Sequence, residues 1–168
     1  MPITKGRAMD PIGFEQHDHT ACRRGNIARV EDRCRAAGLQ LTPTRRRVLE
    51  ILLEEHRALG AYEILDRLRA EGLGSQPPVA YRALDFLVKN GFAHKIEQLN
   101  SFIACCHPGT DHSAAFLICR VCASVAEALA EPDRGNLARA AEETGFLVER
   151  AVTEAQGICP NCRKAGSA

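Results

Sequence analysis

Two Cys-x-x-Cys pairs, Cys119 with Cys122 and Cys159 with Cys162, constrain this 168-residue chain more than any other feature, because the 36 residues between them must fold so that the pairs meet. Four thiolates at this spacing close a tetrahedral shell with no open position, which suits a structural Zn²⁺ tying the end of the chain to the start of its own domain. A thioredoxin-like redox motif, an iron site or incidental buried cysteines are the alternatives. Redox chemistry needs only one pair, so two pairs bracketing one unit favour the structural ion. A staple is also needed: aromatic content is 5% with no Trp, so neither half of a two-unit chain can bury much. No window offers the eighteen or so apolar residues of a spanning helix, and residues 1–24 lack a secretory core. The expectation is therefore a cytoplasmic chain with no membrane partner, whose eight cysteines serve as metal ligands rather than disulfides.

The periodicities divide the chain. Residues 1–24 show no repeat and read as a mobile arm. Ile27, Val30 and Cys34 recur at helical spacing from Asn26 to Ala37, before Gly38. Thr42-Pro43 starts a second helix with Val48, Leu49, Leu52 and Leu53 as its buried stripe. A third follows Gly60 with Ala61, Ile64, Leu65 and Leu68 on one face. A fourth runs from Pro77-Pro78 to Gly91, with Ala80, Leu84, Leu87 and Val88 on one side and Arg82 and Lys89 opposite. Phe92–Glu97 and Ser101–Ala104 bracket a turn and read as a hairpin. Helices ending in a hairpin make a winged helix-turn-helix, over residues 25–106. After a hinge loop at 107–113, strands at Ala114–Cys119 and Ser124–Leu129, a helix at Asp133–Thr144 carrying Leu137, Ala140 and Ala141 on one face, and a strand at Phe146–Ala155 with Val148 and Val152 inward predict a small α+β domain over 114–168. The fold class is α+β, and the second unit is small enough to need a second copy of itself, a staple, or both.

His94, Cys105, His112 and Glu127 form a looser group, with Cys106 and His107 nearby, spread across both predicted units. It is either a mixed-donor site bridging two bodies or ordinary solvated surface, and the thiolate makes a harder ion such as Mn²⁺ a poor fit. The net charge is +1, with 16 Lys and Arg against 13 Asp and Glu in residues 1–100 and 6 against 8 in the remainder. Binding to nucleic acid on bulk charge alone is thereby excluded. Arg82 is placed either to fork onto guanine or to be solvated, and Tyr62 and Tyr81 either to meet bases and phosphates or to pack. Arg45-Arg46-Arg47 is a phosphate-contacting helix start or a soluble face, and Phe86, on the polar side of its helix, has no role in this pattern.

Several motifs resemble the ferric uptake regulator family, and more closely its zinc uptake regulator branch: Leu41-Thr42-Pro43-x-Arg45, Ala61-Tyr62-Glu63-Ile64-Leu65, Pro77-Pro78-x-x-Tyr81-Arg82-Ala83-Leu84-Asp85-Phe86-Leu87, Gly91-Phe92-Ala93-His94-Lys95 and the double Cys-x-x-Cys. The resemblance runs from about residue 26 to residue 163. It implies a homodimeric, non-enzymatic repressor of metal-import genes that acts on double-stranded operator DNA and takes no small-molecule substrate. It also implies two Zn²⁺ per chain: a structural ion at Cys119, Cys122, Cys159 and Cys162, and a regulatory ion at His94, Cys105, His112 and Glu127. Arg82 and Tyr81 would serve the recognition helix, with a base contact near Tyr62. Val79-Ala80 departs from the branch's usual Thr-Val before Tyr-Arg, and Cys106 and His107 stand as substitutes for Cys105 or His112. An iron- or peroxide-sensing regulator of the same family, or a thiol redox sensor using the Cys-x-x-Cys pairs, are the alternative functions.

Overall fold

Thr42 sets the first firm boundary: its hydroxyl accepts the Arg45 amide at 3.4 Å and Pro43 occupies the first helical position, where no amide is missed. The computed structural model describes residues 13–14, 19–55, 57–74, 76–110, 112–130, 135–149 and 151–166. Their order is α1 (His19–Ala36), α2 (Pro43–Leu52), α3 (Ala61–Ala70), α4 (Pro77–Lys89), β1 (Ala93–Ile96), β2 (Ser101–Ala104), β3 (Ser113–Cys119), β4 (Val125–Ala130), α5 (Asn136–Thr144), β5 (Thr153–Gly157) and α6 (Pro160–Lys164). Among the described residues no helix is long and apolar enough to cross a membrane.

The expected stripes of α2, α3 and α4 converge. Val48, Leu49, Leu52, Ile64, Leu65, Leu68, Ala80, Leu84 and Leu87 are buried in one core with Val30 of α1, Phe92 and Phe102. The β1–β2 hairpin lies against this core on one face and against the second unit on the other, and its register explains how. Ala93 pairs with Ala104 and Lys95 with Phe102, while His94 pairs with Ile103 and Ile96 with Ser101. Pleating therefore turns Ala93, Phe102 and Ala104 to the helices, and turns His94, Ile96 and Ile103 the other way. There Ile96 and Ile103 close a second apolar cluster with Phe116, Ile118 and Val125. Residues 57–59 add a further tie, since Leu59 exchanges backbone hydrogen bonds of 2.8 Å with Phe102 and Arg57 bridges to Ser124.

The second unit is a three-stranded sheet of order β4-β3-β5, with β3 antiparallel to β4 and parallel to β5. Three expectations need correction. First, α1 begins at His19, so residues 19–24 belong to a helix rather than to the arm; residues 1–12 and 15–18 lie outside the described residues. Second, the last strand is only Thr153–Gly157. Phe146 and Leu147 lie before it and are largely exposed, and Val152 is also exposed rather than inward. Apolar composition suggested a strand there, but pairing with β3 begins only at Thr153. Third, α5 buries none of its residues, and Leu137 on its apolar face is exposed. Among the described residues nothing covers that face.

Arg47 shows how the head holds its shape outside the core. Its guanidinium donates to both oxygens of Glu71 at 2.6 and 2.7 Å and to Glu54 at 3.0 Å, while Arg67 reaches Glu54, Glu55 and Glu63. The network joins α2, α3 and the loop between them. Leu84 is fully buried on α4 between α2 and α3. Leu84→Ala is expected to cost about 3 kcal/mol of stability, through lost burial and the cavity left behind. Urea unfolding followed by far-ultraviolet circular dichroism checks this.

Candidate metal centres and nucleic-acid interface

The first site forms because the antiparallel turn after β3 and the end of β5 lie side by side. Cys119 ends β3, Cys122 sits in the turn, and Cys159 and Cys162 open and line α6. The four sulfurs lie within 4.8 Å of one another. Backbone amides point at them: Cys159 N donates to Cys119 Sγ at 3.3 Å and Cys162 N to Cys159 Sγ at 3.4 Å. Ala123 takes a left-handed conformation with φ of 59°, which lets the first knuckle turn back into β4. Amides of Cys159 and Cys122 pull the Cys119 thiol down to about 6, against the opposing effect of burial, and so favour the thiolate form that a metal requires. The same crowding, led by Cys159, pushes Cys162 up to about 12. Four sulfurs this close can all be anionic only around a cation, and the donor set fits a closed, thiolate-only zinc shell.

The second site is assembled from β1, the end of β2, the loop after it, and β4. The register turns His94 toward the second unit; Cys105 follows β2, His112 precedes β3, and Glu127 lies on β4, 3% exposed. Their ligand atoms also lie within 4.8 Å of one another. Cys105 Sγ is 3.6 Å from His112 Nε2 and 3.8 Å from Glu127 Oε1, and His112 Nε2 is 2.8 Å from the same oxygen. His112 Nδ1 donates to the Thr110 carbonyl at 2.9 Å, which fixes the ring and turns Nε2 inward. Buried His94 Nε2 lies 3.3 Å from Glu127 Oε1 but is aligned for no hydrogen bond. Two imidazole nitrogens, a thiol sulfur and a carboxylate oxygen therefore face one point, where His94 Nε2 finds no hydrogen-bond partner, and a tetrahedral cation would satisfy all four.

Electrostatics agree. Burial, and then the Glu127 charge, push the Cys105 thiol up to about 12. Burial would also raise Glu127, but His94, the Cys106 amide at 2.8 Å and His112 outweigh it and hold the carboxyl down to about 2. The carboxylate is thus ionised although buried, and beside it the Phe116 ring stands 5.2 Å from that of His94. An open cleft of about 570 Å³, lined in part by His94, His112, Phe116, Val148 and Val152, gives access. Cys106 and His107 are not in the converging set: Cys106 contributes its amide to Glu127, and the His107 ring stands 6.0 Å from that of His112.

Sequence reasoning missed Asn26, whose Nδ2 donates to the Cys105 carbonyl at 2.7 Å and so braces the ligand from α1. The available signal was its place four residues before Val30 and eight before Cys34, on the apolar stripe of α1. Phe86 also gains a role, since it packs on Phe92 and lies 3.8 Å beneath the Arg45 guanidinium. Arg45 further donates to the Gln40 carbonyl, Arg46 pairs with Glu31 and Glu50, and Arg47 is held by Glu71 and Glu54. The triple arginine is committed to intramolecular partners. Arg82, by contrast, is exposed with no ion pair among the described residues; Tyr81 beside it is 42% exposed and Tyr62 on α3 64% exposed. All three side chains are open to solvent on α3 and α4.

A winged helix-turn-helix joined to a small sheet unit, with a mixed-donor cluster between them and a four-cysteine staple beyond, defines a regulator of the ferric uptake regulator family. No family model matches the chain. It is 37% identical over 137 residues to the zinc uptake regulation protein of Escherichia coli strain K12, covering 81% of this chain and 80% of that one. The solved structure of a zinc uptake regulator complexed with zinc and DNA superposes with a TM-score of 0.80 at 35% identity, over 87% of this chain and 98% of the other. The holo form of XcZur gives 0.74 at 39%, over 83% and 98%. The chain belongs to the zinc uptake regulators of that family.

Titration of the reduced, metal-free chain with Co²⁺ is expected to reveal two sites per chain, both with thiolate-to-cobalt charge-transfer absorption. The four-cysteine site should resist chelator far longer. Cys119→Ser is expected to abolish only that long-lived signal and Cys105→Ser only the labile one.

Proposed function

We propose that this chain is a zinc-dependent homodimeric repressor that binds double-stranded operator DNA when zinc fills the His94, Cys105, His112 and Glu127 cluster, and thereby controls zinc uptake genes. It is a transcription regulator and not an enzyme. The convergence of four ligand atoms from separate chain segments carries the reading, because it occurs where the winged-helix head, which begins with α1 at His19, meets the proposed dimerisation unit, which begins with β3 at Ser113, across the loop that follows β2. Two zinc ions per chain follow: one structural, at Cys119, Cys122, Cys159 and Cys162, and one regulatory. A thiolate among the hinge donors favours zinc over harder ions.

Zinc at the hinge would act as a Lewis acid that relieves the repulsion among the four converging donors. The rest is done by the chain. Glu127 holds the Cys106 amide, Asn26 holds the Cys105 carbonyl, and Thr110 fixes the face of His112, so the donors are oriented before closure. The closed arrangement settles the hairpin, and with it α4, which packs on β1. Moving a two-state population from mostly open to mostly closed takes about 5.5 kcal/mol of differential binding, within reach of one tight ion. Arg82 and Tyr81 on α4, with Tyr62 on α3, would then meet the DNA. Exposed Leu137, Phe146, Leu147 and Val152 supply apolar surface for the second copy. The protein would act in the cytoplasm, where DNA is present and thiols stay reduced.

With free zinc buffered and salt fixed, the affinity of wild-type protein for a duplex selected from a random pool by the zinc-loaded protein is expected to rise by roughly 5- to 150-fold on zinc addition. His94→Ala and Cys105→Ser should remove the rise. Equal affinity at all zinc levels in the wild type would sink the proposal. Arg82→Ala should cost about 1–3 kcal/mol of affinity for the selected duplex while leaving zinc binding intact.

A further inference from the structure

Glu154 makes a contact that the metal chemistry does not require. From β5 its Oε1 accepts the amide of Glu97 at 2.6 Å and its Oε2 accepts the amide of Gln98 at 2.9 Å, across 57 and 56 residues of sequence. Both amides lie in the turn at the tip of the β1–β2 hairpin. A single carboxylate thus clasps two adjacent backbone donors of the head from the sheet of the other unit.

Sheet register shows why the clasp falls there. Phe116 of β3 is paired with Glu127 of β4 on one side and with Glu154 of β5 on the other. The two carboxylates therefore stand in one row across the sheet with Phe116 between them, roughly 10 Å apart at the usual strand spacing. His94 and Glu97, three residues apart at the base and tip of β1, are separated by the same rough 10 Å along an extended strand. The hairpin lies across the row: His94 over Glu127, its ring against Phe116, and the amide of Glu97 on Glu154. Apolar packing of Ile96 and Ile103 on Phe116, Ile118 and Val125 keeps the two surfaces close but is non-directional and tolerates sliding. Anchored at its base alone, the hairpin would keep freedom to swing; anchored at both ends it has one orientation, and α4 packed on β1 inherits it.

We propose that Glu154 is a positioning residue, a latch that fixes the tip of the hairpin to the dimerisation sheet and so couples filling of the hinge cluster to the DNA-reading orientation of α4. The proposal rests on the regulator reading above. β5 leads straight into Cys159, so the latch is mounted on the strand that the four-cysteine staple holds in place. A carboxylate on two amides is a charge-assisted, bidentate bond, and its loss weakens the closed state alone.

The test uses the intact zinc-loaded protein with Glu154→Ala and Glu154→Gln. Hydrogen exchange at the Glu97 and Gln98 amides is expected to accelerate about tenfold in the alanine variant and less in glutamine, which retains one acceptor. Chelator competition should show about tenfold weaker zinc binding at the labile site, with the chelator-resistant ion unchanged. Affinity for the selected duplex should fall at intermediate zinc and recover at saturating zinc, with an unchanged salt slope because no phosphate contact is lost. A merely structural role would lower affinity at every zinc level. Unchanged amide exchange and unchanged labile-site affinity in both variants would overturn the latch. A wild type whose DNA binding ignores zinc would overturn the regulator reading and this coupling together, while the exchange rates still report whether the clasp exists.

Discussion

A buried, ionised carboxylate is the constraint around which the two halves of this molecule are arranged. Glu127 has almost no contact with solvent, and an isolated charge so placed would cost several kcal/mol. Its partners come from everywhere but its own strand: His94 from the hairpin, the Cys106 amide and Cys105 thiol from the exit of the head, and His112 from the connecting loop. Satisfying one side chain of the sheet thus requires the head to be brought against it. That requirement makes the junction sensitive to what occupies it, because two imidazoles and a thiol around a carboxylate are a poor set of mutual hydrogen-bond partners and a good set of ligands.

The surrounding structure keeps this junction stiff on either side. In the head, a core of aliphatic side chains is reinforced by arginine–glutamate pairs linking α2, α3 and their loop. In the second unit the apolar cluster is small, and much of its apolar surface faces outward. The four converging cysteines bring the β3–β4 turn against the end of β5, and an ion held there would tie the strand ends of a sheet with little interior.

Charge is distributed on the same principle. The arginines at the start of α2 are occupied by glutamates, a carbonyl and an aromatic face, which leaves the exposed Arg82 of α4 as a cation without such a partner. A nearly neutral chain can still read nucleic acid when its uncommitted cations are few and well placed and when two copies act together. Orientation then matters more than net charge, and orientation is what the hairpin contacts control.

Much of this was legible in the sequence. Period-3.6 stripes located α2, α3 and α4, Thr42-Pro43 marked the start of α2, and the spacing of four cysteines defined the staple, because each of these signals is local or rests on ligand chemistry that admits few alternatives. The mixed-donor group was visible as a loose set of ligand types, but only family resemblance favoured it over solvated surface, since His94, Cys105, His112 and Glu127 share no spacing that a single element would impose. The sequence misled where a segment's partner lies outside it: the apolar residues Phe146, Val148 and Val152 suggested a strand that β3 does not pair, and α5 suggested burial that none of the described residues provides. What tertiary structure alone decided is which face of the hairpin meets the sheet, and hence that Glu127 and Glu154 hold its two ends and that Asn26 braces Cys105. Such contacts depend on strand register and on two units docking across tens of residues, and a lone Glu or Asn in the sequence carries no mark of the backbone amide or carbonyl it will find.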